Sequence, residues 1–386
     1  MWAYKLRYCL TVNLESLPLK LLILSDTAAP HTRRWANWFH EQGNQVSVVS
    51  LNPINCSGYA GPTIFHVWEA SSRSNFLVRA MKFIIVYFRL IRVVNRTQPD
   101  VIHAHSTGAY AWLAFLTRRP YVVTPWGTDL LIDARNSRLN WRITVHVLRR
   151  ARLVTTDGEH FIPILERMGI PSSRILKHMF GTDTRGFSPR DKKMIRTDLG
   201  LPDKPTIISA RTLYPVHDVQ TFINALPKVF SNINNIQVLV VGDGSERRKL
   251  QSLVASYKLE DKVFFMGMLS EPDLQLALAA SDIYVSTSLM DAGLAGGTAE
   301  AMATSLPVIH TDYGDNKFWT KEGEGGHLFP TGDSNLLSDL IVKLLNDVEL
   351  GIQMGVINRK RILSDNNIDI EMIKIKNAYV NVMTGN

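Results

Sequence analysis

The 386-residue sequence holds only two cysteines, Cys9 and Cys56. Two distant thiols make no disulfide framework, and they suit a reducing compartment. Nowhere does the chain run through the roughly 18–20 uncharged apolar residues that a membrane span requires. The opening MWAYKLRYCLTVNLESLP starts basic but has neither a long apolar core nor a small-residue cleavage site, and Glu15 interrupts it. Residues 1–18 are therefore expected to be a leader of low order, not a signal peptide. The sequons at Asn55 and Asn95 then carry no expectation of glycosylation. There is no GxxxxGK[ST], HExxH, paired CxxC or Asp-x-Asp, so P-loop and zinc chemistry have no support, and no metal, cofactor or nucleic-acid partner is expected.

What is present is the composition of a core-forming protein. Apolar residues make up 45% and charged residues 20% of the chain, and its length suits two domains of about 150 to 200 residues. Charge divides unevenly. Residues 1–190 carry 24 Lys/Arg against 11 Asp/Glu, whereas the remainder carries 19 against 24. A basic half joined to an acidic half points to domains with different partners.

The first half reads as alternating strands and helices. LKLLILSD is a buried parallel strand; Trp35, Trp38 and Phe39 fall at helical spacing; Gly43 suits a C-cap; and Val46–Leu51 is a second strand. In FLVRAMKFIIVYFRLIRVVNR, the side chains of Arg79, Lys82, Arg89, Arg92 and Arg96 fall within an arc of roughly 140° at helical spacing. This is a basic amphipathic helix, either lying on an anionic membrane surface or covering the sheet with a solvated basic edge. His103 and His105 end the strand after Pro99-Asp100. Their expected arrangement is alternate, one pointing into the sheet packing and the other toward a ligand cleft. Asp129 follows the Tyr121–Thr124 strand, as a loop or acceptor-hydroxyl orienter or as a helix N-cap.

The second half repeats the pattern. TIISART, IQVLVVGDG, KVFFMGML, SDIYVSTS and LPVIHTD are strands at α/β spacing. The Gly242-Asp243-Gly244 turn resembles the start of a dinucleotide fingerprint, but Arg247 occupies the third glycine position and an NAD site fails there. DAGLAGGTAEAMATSLPVI places Gly293, Gly296 and Gly297 just before a helix. Small residues there let backbone N–H groups approach an anion, and the helix N-terminus adds positive dipole. Glu300 can accept hydrogen bonds from paired sugar hydroxyls, or can serve only the helix dipole. Arg211, ending a neighbouring strand, can neutralise a diphosphate.

These segments resemble the family-4 retaining glycosyltransferases over about residues 19–380. STSLMDAGLAGGTAEAMATSLPVIHTDYGDNKFWTKEGEGG resembles the family's Glu-x7-Glu motif with its EAMA-like helix, FGTDTRGFSP resembles the interdomain NGVDxxxFxP element, and SARTLYPVHDVQTF resembles the diphosphate-binding GRLxPEKGxxxL element. The resemblance implies an α/β GT-B fold: two facing Rossmann-like, doubly wound domains with a cleft between them. The expected divisions are 19–185 for the acceptor-side domain, 186–365 for the nucleotide-sugar domain, and 366–386 for a helix packing back on the first.

The implied reaction is metal-independent hexosyl transfer from a nucleotide-diphosphate sugar to a glycan or lipid-linked acceptor hydroxyl, in cell-surface polysaccharide or glycolipid assembly. It would take place in the cytoplasm, with peripheral attachment to an anionic membrane surface. His105, Arg211 and Asp129 are implied as catalytic. Glu300, Asp291, Gly293, Gly296, Gly297, His217, Gly267 and Met268 are implied as donor-binding. The sequence departs from the motif where the first Glu falls at Ala292, with Asp291 nine residues before Glu300, and where His217 replaces a lysine. Such departures also suit a non-catalytic scaffold of the same fold, and a nucleotide-sugar isomerase shares the architecture.

Overall fold

A computed structural model of the chain describes residues 18–53, 56–67, 76–131, 133–291 and 293–384. The expected leader, with Cys9, and the positions Asn55 and Ala292 lie outside the described residues. So do the side chains of Arg79 and Lys82.

Strands β1 (Lys20–Leu24), β2 (Gln45–Ser50), β3 (Thr63–His66), β4 (Val101–His105), β5 (Tyr121–Thr124), β6 (Leu153–Thr156) and β7 (Ile175–Lys177) form one sheet in the order β3-β2-β1-β4-β5-β6-β7. Strands β8 (Thr206–Ala210), β9 (Gln237–Val241), β10 (Val263–Gly267), β11 (Ile283–Ser286), β12 (Val308–Thr311) and β13 (Gly326–Phe329) form a second, in the order β10-β9-β8-β11-β12-β13. Central pairs such as β1 with β4 and β8 with β11 are parallel, with helices supplying the crossovers. The architecture is the doubly wound α/β type, twice over. Its order reverses between β1 and β4, and again between β8 and β11. Those two switch points are where open parallel sheets leave a crevice for ligands.

The second sheet shows why these strands read as unbroken apolar runs. Successive side chains face opposite sides, and both sides are covered. Ile207, Val238, Val240, Ile283, Val285 and Ile309 join one buried cluster. Their strand neighbours Ile208, Leu239, Tyr284 and Val308 join the other. Each layer of helices thus packs on every second residue.

Two compact units result. One comprises Met1–Thr155, Glu166–Leu176 and Met372–Asn386; the other comprises Thr156–Leu165 and Lys177–Glu371. The second unit takes in the connector around Gly181 because that connector is bonded to the start of the C-terminal helix, Ile368–Thr384. Thr182 N–H donates to Asn366 O and Ile368 N–H to Thr182 O, while Glu371 Oε2 accepts from Met179 N–H at 2.7 Å. A Cβ on Gly181, at φ +78°, would lie 2.7 Å from the Ile368 Cα, so glycine is required there. Later in the same helix, Tyr379 is fully buried in the first unit, and its hydroxyl bonds His103 Nδ1 at 2.5 Å.

Candidate functional site

The second unit's switch point collects the polar residues. Arg211 follows β8, and Ser288 and Asp291 follow β11. The two loops are bonded together: Leu289 N–H donates to Val216 O, and Thr287 Oγ1 donates to His217 O at 3.0 Å. Arg211 Nη2 donates to Asp291 Oδ1 at 2.5 Å and to His217 Nδ1 at 3.0 Å. A guanidinium can only donate, so Nδ1 of His217 is the acceptor and its ring proton sits on Nε2. Ser288 Oγ, 3.2 Å from the same Nδ1, donates as well. Burial pushes the His217 pKa down to about 4, with the Arg211 charge acting in the same direction, so the ring is neutral near pH 7. The ion pair is enclosed, with side-chain exposures of 12% for Arg211 and 7% for Asp291. Arg211 Nε is buried and finds no acceptor among the described residues.

The helix Gly296–Ala303 begins beside this group, from an extended Ala295 that supplies no side-chain cap. Glycine at 297 is demanded by packing: a Cβ would stand 2.7 Å from Ala210 O and 2.8 Å from the Tyr284 hydroxyl. Tyr284 went unnoticed in the sequence because a mid-strand tyrosine looks like any core residue. It is fully buried beneath the site; burial pushes its pKa up to about 12, and the charges of Arg211, Asp291 and Glu300 also reach it. Glu300 is likewise buried. Gly293 meets protein too, since a Cβ there would lie 2.8 Å from the Asp157 carboxylate. Nearby in the same unit, Asp315 accepts from Glu159 N–H at 2.7 Å and bonds His160 Nδ1 at 3.0 Å.

The Gly242-Asp243-Gly244 turn also proves to be a packing device. A Cβ on Gly242 would lie 2.0 Å from Arg211 O, and one on Gly244 would lie 2.4 Å from Leu213 O. Leu213 N–H donates to Asp243 O in return. These glycines seat the β9 loop directly on the Arg211 loop. Gly267, at φ +69°, accepts from Gly242 N–H and ends β10, and Met268 beyond it is 67% exposed.

In the first unit, His103 and His105 do not alternate. Residues two apart on a strand share a face, and the two rings lie side by side with centroids 4.7 Å apart. Both are buried; His105 stands edge-on to Trp35 at 4.8 Å, and His103 Nε2 bonds Thr124 Oγ1 at 2.7 Å. Asp129 bridges two loops at the carboxyl end of the sheet. Its Oδ2 accepts from Thr107 N–H at 2.6 Å and its Oδ1 from Trp126 N–H at 2.9 Å. Burial raises its pKa, and those amide bonds oppose the rise.

Two family models together account for most of the chain. Residues 20–158 match the model described as glycosyl transferase 4-like, and residues 191–361 match glycosyl transferases group 1. The chain belongs to the family-4 glycosyltransferases. Among curated relatives of this glycosyltransferase is N-acetyl-alpha-D-glucosaminyl L-malate synthase of Bacillus anthracis, 27% identical over 275 residues, covering 69% of this chain and 71% of the relative. Another is UDP-Gal:alpha-D-GlcNAc-diphosphoundecaprenol alpha-1,3-galactosyltransferase of Escherichia coli, 25% identical, covering 81% of this chain and 82% of the relative. Among solved structures, Anabaena HepE in complex with UDP and glucose superposes with a TM-score of 0.78 at 18% identity, covering 94% of this chain and all of that one. That likeness establishes the GT-B fold.

Proposed function

We propose that this glycosyltransferase is a retaining hexosyltransferase that takes its sugar from a nucleoside-diphosphate donor and adds it to a lipid-linked glycan in polysaccharide or glycolipid assembly. The observation that carries the reading is the grouping of Arg211, His217, Ser288 and Asp291 at the β8–β11 switch point, with Glu300 on the helix beside it. The bond from the anomeric carbon to the diphosphate oxygen breaks, the acceptor oxygen bonds that carbon, and the acceptor's hydroxyl proton passes to the departing diphosphate. The charge developing on the diphosphate meets Arg211 and the Nε2–H of His217, and no metal is needed for this. Glu300 binds the donor ribose. Gly293, Gly296, Gly297, Gly267 and Met268 shape the rest of the donor pocket. His105, buried against Trp35, backs the acceptor side of the transferred sugar, and Asp129 orients the acceptor-side loops. UDP in the HepE complex and the diphosphoundecaprenol acceptor of the E. coli relative support these donor and acceptor classes.

The lipid-linked acceptor is favoured by the helix Phe76–Thr97. Ile84, Ile85 and Phe88 are 54%, 50% and 64% exposed, and at helical spacing they flank the exposed Arg92 and Arg96. Apolar side chains beside arginines fit the headgroup boundary of an anionic bilayer. No helix among the described residues is long and apolar enough to cross a membrane. We assign this helix to the cytoplasmic face of a membrane.

The test is a panel of nucleotide sugars with lipid-linked and soluble acceptors, read by nucleoside-diphosphate release and product anomer. Turnover that needs no acceptor would convert the reading to an isomerase, and the lack of any turnover would favour a scaffold. Glu300→Ala is expected to weaken donor binding by about 1.5–3 kcal/mol, the loss of a charged hydrogen bond. Co-sedimentation should be stronger with anionic than with neutral vesicles and should fall with salt.

A further inference from the structure

We infer that Asp291 is an internal counter-anion at Arg211, one that opposes the donor's diphosphate and so favours release of the nucleoside-diphosphate product. The inference rests on the donor-site reading above and adds to it a residue whose charge sets affinity.

Both protons of Arg211 Nη2 are committed within the protein, one to Asp291 Oδ1 and one to His217 Nδ1. His217 is neutral in this arrangement, because its Nδ1 accepts from the arginine. The charges of the three side chains therefore sum to zero. A diphosphate approaching Arg211 therefore meets a neutralised guanidinium instead of a free cation. The carboxylate lies 2.5 Å from the nitrogen it neutralises, and the pair is enclosed, so the solvent screening that weakens surface charges is reduced.

Asp291 is also held in place. A Cβ on Gly314, at φ +56°, would lie 2.8 Å from Asp291 O, so only glycine at 314 lets the following loop close on that backbone. The carboxylate is thus poised beside the guanidinium from the β11 side, while the helix bearing Glu300 starts a few residues later.

A competing role is that Asp291 simply positions Arg211. Asp291→Asn separates the two, because the amide oxygen still accepts from Nη2 while the negative charge is gone. The experiment is isothermal calorimetry of the full chain with UDP, GDP and ADP, followed by UDP and uridine (or the nucleoside diphosphate that binds, with its nucleoside) against the full chain, Asp291→Asn and Asp291→Ser. Unliganded melting temperatures confirm that each variant is folded.

The expected result is UDP binding about tenfold tighter in Asp291→Asn and tighter also in Asp291→Ser, with uridine affinity unchanged. Inhibition of turnover by added UDP should strengthen in parallel. UDP affinity that falls or stays level in both folded variants overturns the inference in favour of a positioning role. If the unaltered chain binds none of UDP, GDP and ADP, the donor-site reading itself is overturned, and that outcome is distinct because it appears before any substitution is made.

Discussion

The two sheets share one winding order but treat the polar residues at their switch points differently. In the first unit, the groups at the carboxyl ends of β4 and β5 are absorbed by packing. His103 is held between Tyr379 and Thr124, His105 lies against Trp35, and both carboxylate oxygens of Asp129 accept backbone N–H groups. In the second unit, the equivalent place holds a buried ion pair, a neutral histidine and an arginine nitrogen with no acceptor among the described residues. The same topology can thus serve as a braced platform or as a charged site. The side chains at the strand ends decide which, because the crevice itself comes with the winding order.

That contrast can be strained hardest through stability. Tyr379→Ala removes a fully buried ring and the hydroxyl bonded to His103 Nδ1. It is expected to cost about 3–5 kcal/mol in urea unfolding. A loss below about 1 kcal/mol would mean that the C-terminal helix does not brace the first sheet.

Next comes turnover. Arg211→Gln should lower kcat/KM by about 100-fold or more, since it removes charge where the leaving group develops its own. His105→Ala should lower it by about tenfold and also reduce the melting temperature. If the His105 variant matched or exceeded the Arg211 loss at an unchanged melting temperature, the braced-versus-charged distinction would fail.

The smallest effect is acid sensitivity of the second unit. Burial pushes the His310 pKa down to about 4, and His217 is also lowered to about 4. Because the unfolded pKa is near 6.5, the unfolded state binds more protons below that value. The stability contribution is complete above about pH 6.5 and is lost as pH falls toward 4. Hydrogen-exchange protection across residues 177–371, after correction for the intrinsic pH dependence of amide exchange, should fall over that interval, and protection that is flat with pH would show that these imidazoles titrate alike in the folded and unfolded states.

The central strands were legible because a strand buried on both faces has to be apolar throughout, as LKLLILSD and IQVLVVGDG are. The strands that escaped notice, β3, β7 and β13, all lie at sheet edges. An edge strand has one neighbour, and in β3 and β7 most side chains are only half-buried, so the local pattern is short and mixed. Arg211 and Glu300 were legible as site candidates because strand-end and helix-start positions carry a chemical expectation. Tyr284, Ser288 and the carboxylate of Asp157 carried none; each acquires its place only when distant loops meet.

The sequence by itself determined the alternation of strands and helices, two successive doubly wound units and the family, since these depend on period, spacing and local motif. Only the tertiary structure decided what the individual polar residues do. It set His103 between Tyr379 and Thr124 and His105 against Trp35, whereas their sharing one face already follows from the strand period. It turned Gly242, Gly244, Gly293 and Gly297 into seats for neighbouring backbone or side-chain atoms, because the clash a Cβ would make depends on which loop arrives there. It also paired Arg211 with Asp291 across 80 residues of chain. A charge is neutralised by whatever lies within a few ångströms of it, and sequence separation does not report that distance.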